Sequence, residues 1–265
     1  MTAHAAVPDS YYQRVGEHRF KPTAHAGGAW NTAEQHFSPL AGLVVHAIEG
    51  HLADRPGQGL ALARISYDIL GRIALDECEI TVETVRPGRT VELLEAVVRI
   101  ADRPVVRARA WLLTTLDTAE VADSPHERLA PPEEFTPWAM SDLWDGGYVS
   151  SVEVRRSEPA RRGRAAAWIS SRVELVAGEP SSPLASWLAL VDTANGIAVQ
   201  QDPTAWMFPN TDLTVHLHRQ PRGPWTGLDT TVSLGPTAQG LTHSVLHDLE
   251  GPVGTAVQIL TVRPL

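Results

Sequence analysis

Lysine is almost missing from this chain: Lys21 stands alone against twenty-one arginines in 265 residues. Its setting, Phe20-Lys21-Pro22, excludes a phosphate-binding loop ending in Gly-Lys-Ser/Thr and argues against Schiff-base chemistry. Cysteine is as scarce. Cys78 alone excludes an intrachain disulfide framework and a multi-cysteine zinc site, and it fits a reducing compartment. No stretch approaches eighteen uninterrupted apolar residues, so no transmembrane helix is expected. Residues 1–10 lack a basic start followed by an apolar run, so no signal peptide is expected either. Gly57-Gln58-Gly59 lacks the third glycine of a dinucleotide fingerprint, and neither a Gly-x-Ser-x-Gly elbow nor a His-Glu-x-x-His pair occurs. A cytoplasmic protein that uses no membrane is the default expectation.

Apolar residues make up 43% of the sequence and charged residues 20%, enough to bury a sizeable core and to exclude disorder of the whole chain. The net charge of −9 argues against nucleic acid as a partner.

The strongest pattern is an internal repeat. Ser38-Pro39-Leu40-Ala41 opens an apolar helical stretch to about residue 52, and Ser182-Pro183-Leu184-Ala185 opens another to about residue 200. Proline after serine is also good helix-start chemistry in its own right. Downstream, Arg72 and Arg219 each close a strand-like run, and Arg103-Pro104-Val105 and Gly251-Pro252-Val253 each introduce a final strand. The offsets are 144, 147 and 148 residues, so the copies stay nearly in register. Strands are expected over 62–70, 78–85, 91–100 and 105–115 in the first copy. In the second they are expected over 212–218, 228–234, 241–247 and 254–262, after 152–156 and 166–176. One helix with several antiparallel strands, twice over, is an α+β layout. The expected division is 1–117, a proline- and acid-rich linker at 118–138, and 139–265.

These features together resemble the TesB-like (type II) acyl-CoA thioesterases. The resemblance rests on Ala167-Trp168 to Arg172, Leu175-Val176-Ala177-Gly178-Glu179, Ser182-Pro183-Leu184, Asp192, Asn210-Thr211-Asp212, His218-Arg219 and Gly254-Thr255-Ala256-Val257-Gln258. Gly27-Gly28-Ala29-Trp30 and Val85-Arg86-Pro87-Gly88-Arg89 add to it in the first half. The family implies a tandem (double) hotdog, each half one long helix wrapped by a curved antiparallel sheet. It also implies hydrolysis of acyl-CoA thioesters with no cofactor and no metal, acyl-CoA being the partner; homo-oligomerisation stays open.

Three residues carry the expected chemistry. On a continuous helix Leu188, Asp192, Asn195 and Val199 would share one stripe, so an acid and an amide interrupt an apolar face. Asp192 matches the family's water-orienting aspartate; the alternative is a wet helix edge. In the last strand Ala256, Gln258, Leu260 and Val262 point one way, making Gln258 a lone amide among aliphatic neighbours. It matches the family's glutamine beside the reacting water, and the alternative is a structural amide. The matching first-half residue is Ala110. The third position departs: the family has Ser or Thr where this chain has Asn210, with Thr211 directed to the opposite face. Asparagine still donates and accepts hydrogen bonds, and a degraded water site would leave a non-hydrolytic acyl-CoA or lipid-binding protein.

A second departure is His36-Phe37-Ser38, where many relatives have His-Gly-Gly; Phe37 either narrows the groove or packs in the core. Two histidine pairs, His216 with His218 and His243 with His247, could meet Asp212 or Asp248 around a metal, although solvated histidines are commoner. Arg155, Arg156, Arg161, Arg162 and Arg164 form a basic cluster, read as a solvated loop or as an attraction for CoA phosphates.

Overall fold

The computed structural model describes residues 9–53 and 59–265. Residues 1–8 and the Gly57-Gln58 dipeptide lie outside the described residues. The first half holds β1 (Ser10–Arg14), β2 (Arg19–Pro22), α1 (Phe37–Ala53), β3 (Leu60–Ile69), β4 (Cys78–Arg86), β5 (Val91–Ile100) and β6 (Arg103–Thr114). There follow β7 (Thr136–Pro137), α2 (Gly147–Ser151), β8 (Val152–Arg156), β9 (Arg164–Ser171), β10 (Glu174–Val176), α3 (Pro183–Leu188) and α4 (Ala194–Ile197). The chain ends with β11 (Trp206–Met207), β12 (Asp212–Leu217), β13 (Thr226–Leu234), β14 (Gln239–Asp248), β15 (Gly251–Thr261) and β16 (Arg263–Pro264).

Among the described residues fourteen strands form one sheet in the order β10-β1-β2-β4-β5-β6-β3-β12-β15-β14-β13-β9-β8-β7. Its two halves meet edge to edge where β3 runs antiparallel to β12, with Ser66 opposite Thr214. These two residues are 148 apart, the same offset that carries β4, β5 and β6 onto β13, β14 and β15. A pseudo-twofold axis therefore passes between Ser66 and Thr214. Joining the halves here pairs two strands that would otherwise be exposed edges.

α1 is buried from Phe37 through Val45 and again at Ile48, as expected for a helix enclosed by sheet and a second helix. It lies against α3, and Gly42 sets the distance. A Cβ at Gly42 would stand 2.5 Å from the Ala189 Cβ and 2.6 Å from the Ala185 carbonyl oxygen.

Four expectations need correction. The second helix does not run to residue 200. α3 ends at Leu188, a tight turn spans Val191–Thr193, and α4 ends at Ile197. The Trp187 carbonyl accepts from the Leu190 N–H and from the Thr226 hydroxyl, which tightens the chain into a 3₁₀-like turn. The strand expected over 166–176 is two. β9 stays in the second half, whereas β10 crosses to the opposite end of the sheet and pairs in parallel with β1. The first helix begins at Phe37, with the His36 ring rather than Ser38 as its cap. The Ser38 N–H donates to His36 Nδ1 at 3.1 Å, an N-cap bond to the second helical residue. Ser182 does cap α3, accepting from the Ala185 N–H at 2.9 Å. Finally, His243 and His247 do not share a face. A bulge between Leu246 and His247 shifts the register, so His243 is exposed and His247 is buried.

Candidate active site

Asp192 sits in the tight turn after α3, where the broken helix turns its carboxyl inward. It is 6% exposed. Its Oδ1 accepts two hydrogen bonds, from Asn210 Nδ2 and from Gln258 Nε2, each 2.7 Å long. Asn210, just before β12, also donates to the Asp212 carbonyl at 3.0 Å. Gln258 reaches Asp192 from β15, whose inward face carries Ala256, Gln258 and Leu260. The three residues singled out in the sequence thus meet at one carboxylate oxygen, although they come from three elements. Thr211 is exposed.

Burial is the main influence on Asp192 and raises its pKa from 3.8 to about 7. The two amide bonds oppose that rise and the Asp212 charge adds to it. The group is therefore poised to exchange a proton near neutrality, as a general base requires. Oδ2 accepts no hydrogen bond among the described residues and lies 4.0 Å from His36 Nδ1. That contact is not an ion pair. Burial holds the His36 pKa down at about 3, and Nδ1 already accepts from Ser38, so the imidazole is neutral with its proton on Nε2.

A cleft of about 200 Å³ opens beside this carboxyl, lined by Asp192, Asn210, His36 and Phe37 among others. Phe37 both packs and narrows: it is 5% exposed, meets Tyr67 edge-on at 5.3 Å, and lines the cleft. Trp30, Trp144 and Phe208 form an edge-to-face cluster beside it, with ring centroids 4.8 to 6.0 Å apart. Trp144 Nε1 donates to the Gly196 carbonyl at 3.1 Å, tying the cluster to α4. Asn195 donates to the Phe208 carbonyl at 2.8 Å, so it braces the wall instead of facing solvent. Behind the His36 ring, Tyr148 stacks at 4.2 Å, and its hydroxyl lies 2.6 Å from the Thr193 hydroxyl.

Sequence reasoning missed several of these groups. The capping role of His36 is visible only once the start of α1 is known. Tyr148 and Trp144, with Met140 in the cleft wall, come from a segment with no motif. Arg72, read from sequence as a strand end, lines the cleft and pairs with Glu34 at 2.9 Å. The basic cluster goes elsewhere. Arg156 covers Trp138 at 4.1 Å, Arg155 lies over Trp225 at 5.5 Å, and no member lines the cleft. Cys78 is buried and its thiol is pushed up to about 12, chiefly by burial, which removes it as a nucleophile. Among the described residues no three His, Cys, Asp or Glu side chains are grouped to hold a metal ion. No helix among them is long and apolar enough to cross a membrane.

Comparison with known proteins agrees with this architecture. Residues 26–113 match the family model for the acyl-CoA thioesterase N-terminal domain, and residues 127–262 the model for its C-terminal domain. No curated protein sequence matches the chain. Among solved structures, a conserved hotdog-fold protein of unknown function from Alicyclobacillus acidocaldarius is similar, with TM-score 0.75 and 13% identity over 96% of this chain and 97% of that one. An acyl-CoA thioesterase II from Mycobacterium marinum gives TM-score 0.67 and 13% identity over 96% and 95%. A tesB protein from Mycobacterium avium subs paratuberculosis gives 0.63 and 18% over 96% of each chain. The fold is a tandem hotdog, and the chain belongs to the acyl-CoA thioesterase family.

Proposed function

We propose that this protein hydrolyses acyl-CoA thioesters to free acid and CoA, using a water activated by Asp192. The observation that carries this reading is the convergence of Asn210 and Gln258 on a single oxygen of a buried carboxylate whose pKa lies near 7. With Oδ1 held by two amides, Oδ2 is the atom left to take a proton from water. Gln258 Oε1 is buried with no partner among the described residues. A buried acceptor left unmade costs about 1–3 kcal/mol, so it favours a water molecule donating there.

The remaining groups follow from the chemistry. As water attacks, the thioester carbonyl oxygen gains negative charge. The Phe37 N–H stands at the positive end of α1 with no partner within the helix, whereas the Ser38 N–H is taken by His36 and Pro39 carries none; the Phe37 N–H is the donor for that oxygen. The thiolate of CoA is a good leaving group, so the proton held by Asp192 suffices to complete turnover. Arg72 at the mouth supplies positive charge for CoA phosphates. A cavity of roughly 150 Å³ accommodates one benzene ring, so a cleft of about 200 Å³ suits short acyl chains.

The test is thiol release from a panel of acyl-CoAs of increasing chain length. Wild type is expected to give its highest kcat/KM on short chains, and Asp192→Asn to lower kcat at least ~100-fold, the scale of a lost general base. Asn210→Thr, which restores the family's hydroxyl, distinguishes the alternative. If wild type and this variant are inactive on every chain length while acyl-CoA still binds, the protein is a binding module and the hydrolase reading is wrong.

A further inference from the structure

The pseudo-twofold axis maps the cleft beside Asp192 onto a second one at the other end of the α1–α3 pair. The helix offset of 144 places Ile48 where the second half has Asp192, and the strand offset of 148 places Leu62 at Asn210 and Ala110 at Gln258. Ile48 and Leu62 line a cleft of about 460 Å³ together with Val45, Leu52, Leu112 and Leu184. Ala110 is fully buried. The three polar positions of the first cleft are thus hydrocarbon here, yet the cleft persists at more than twice the volume of its counterpart. Val45, Ile48, Leu62 and Leu112 are each at most 5% exposed, so the cleft has the buried apolar walls that a hydrocarbon tail requires.

The rim carries charge. Arg222 lines the cleft; its side chain is 74% exposed and meets Glu250 at 3.3 Å. Gln220 donates to the Leu62 carbonyl at 2.8 Å, which fixes this stretch against β3. The other ionisable group in the lining is Glu49. It accepts the Ser182 hydroxyl at 2.8 Å, and burial raises its pKa.

We propose that this second cleft binds a medium-chain fatty carboxylate, its tail among Ile48, Leu62 and Leu184 and its head at Arg222. About 460 Å³ is roughly three times the volume that holds a benzene ring, which suits a chain near ten carbons. The Arg222 guanidinium supplies the charge-assisted partner for the head. The site binds without hydrolysing, because Ile48, Leu62 and Ala110 replace the carboxyl and the two amides that converge in the first cleft. The inference stands whether or not the first cleft is catalytic.

Isothermal titration of the full chain with decanoate tests it. Wild type is expected to bind one equivalent. Leu184→Trp and Ala61→Trp both fill the cleft from partly buried positions, and each is expected to weaken binding at least ~10-fold. Arg222→Gln should weaken decanoate several-fold while leaving decanol unaffected. Gly71→Trp, at the rim of the first cleft where a Cβ meets nothing within 4 Å, should leave decanoate affinity unchanged. The proposal is overturned if wild type binds no decanoate. It is equally overturned if Gly71→Trp abolishes binding while Leu184→Trp and Ala61→Trp, shown to be folded by circular dichroism, do not.

Discussion

Asp192 pairs reactivity with instability, and the pairing is measurable. Its pKa is raised from 3.8 to about 7 by burial, so ionisation is harder in the folded chain than in the unfolded one. The sign follows: below pH 4 both states hold the proton and the group is neutral to stability. As pH rises from about 4 to about 7 the unfolded state loses its proton first and folding is progressively disfavoured. Asp192→Asn removes this loss while keeping a carbonyl oxygen for the amides of Asn210 and Gln258. The variant should therefore gain stability over wild type, with an advantage ~2–3 kcal/mol larger at pH 8 than at pH 5. Denaturant melts at the two pH values check this, and an advantage independent of pH would mean the carboxyl is already ionised. In the active protein, kcat should rise with pH through about 7 and level off above it, since the base works only when deprotonated.

At the scale of elements, the packing of α1 on α3 decides where the carboxyl sits. A Cβ at Gly42 would be driven into Ala189 and the Ala185 carbonyl at 2.5 and 2.6 Å, and both belong to the stretch that leads into the Asp192 turn. Gly42→Ala should destabilise the fold by about 1–3 kcal/mol through overpacking and lower activity at the same time. Ser182→Ala removes the α3 cap and should cost about 1 kcal/mol. Thermal melts of the two variants distinguish these scales. The same elements explain the partial legibility of the site. Gln258 is legible because a strand alternates and the alternation holds from Gly254 to Thr261 of β15. Asp192 was placed on a helical stripe, but the helix is broken there, so its inward direction comes from the turn and not from a period of 3.6.

At the scale of the molecule, the sheet is continuous across the two repeats, and one strand of the second repeat and one of the linker complete its two ends. β10, at positions 174–176, sits on the edge of the first half, and β7, within the acid-rich segment 118–138, closes the opposite end. The proposed division into 1–117 and 139–265 is thus one of repeats joined by shared strands. A fragment limited to 1–117 would expose the β3 edge that pairs with β12 and would lack β10. Such a fragment should be insoluble or self-associate when produced alone, and should become soluble when co-produced with 118–265. Size-exclusion chromatography of the two preparations checks this, and a monomeric, soluble fragment 1–117 would argue against mutual dependence.

Sequence alone determined what depends on local order. The strand runs, the offsets of the two copies and the isolated polar residues Asp192 and Gln258 are all written in short stretches, where alternation and turn chemistry act within a few residues. Tertiary structure decided everything that needs residues from distant stretches to meet. The cap made by His36 depends on where α1 begins, and the bulge at Leu246 sends His247 inward. β10 leaves its own half because an edge 164 residues earlier offers it a partner. The pKa of Asp192 belongs to this second kind. Its sequence neighbours do not set it; burial and two amides arriving from 18 and 66 residues away do, since desolvation and hydrogen bonding act through space and not along the chain.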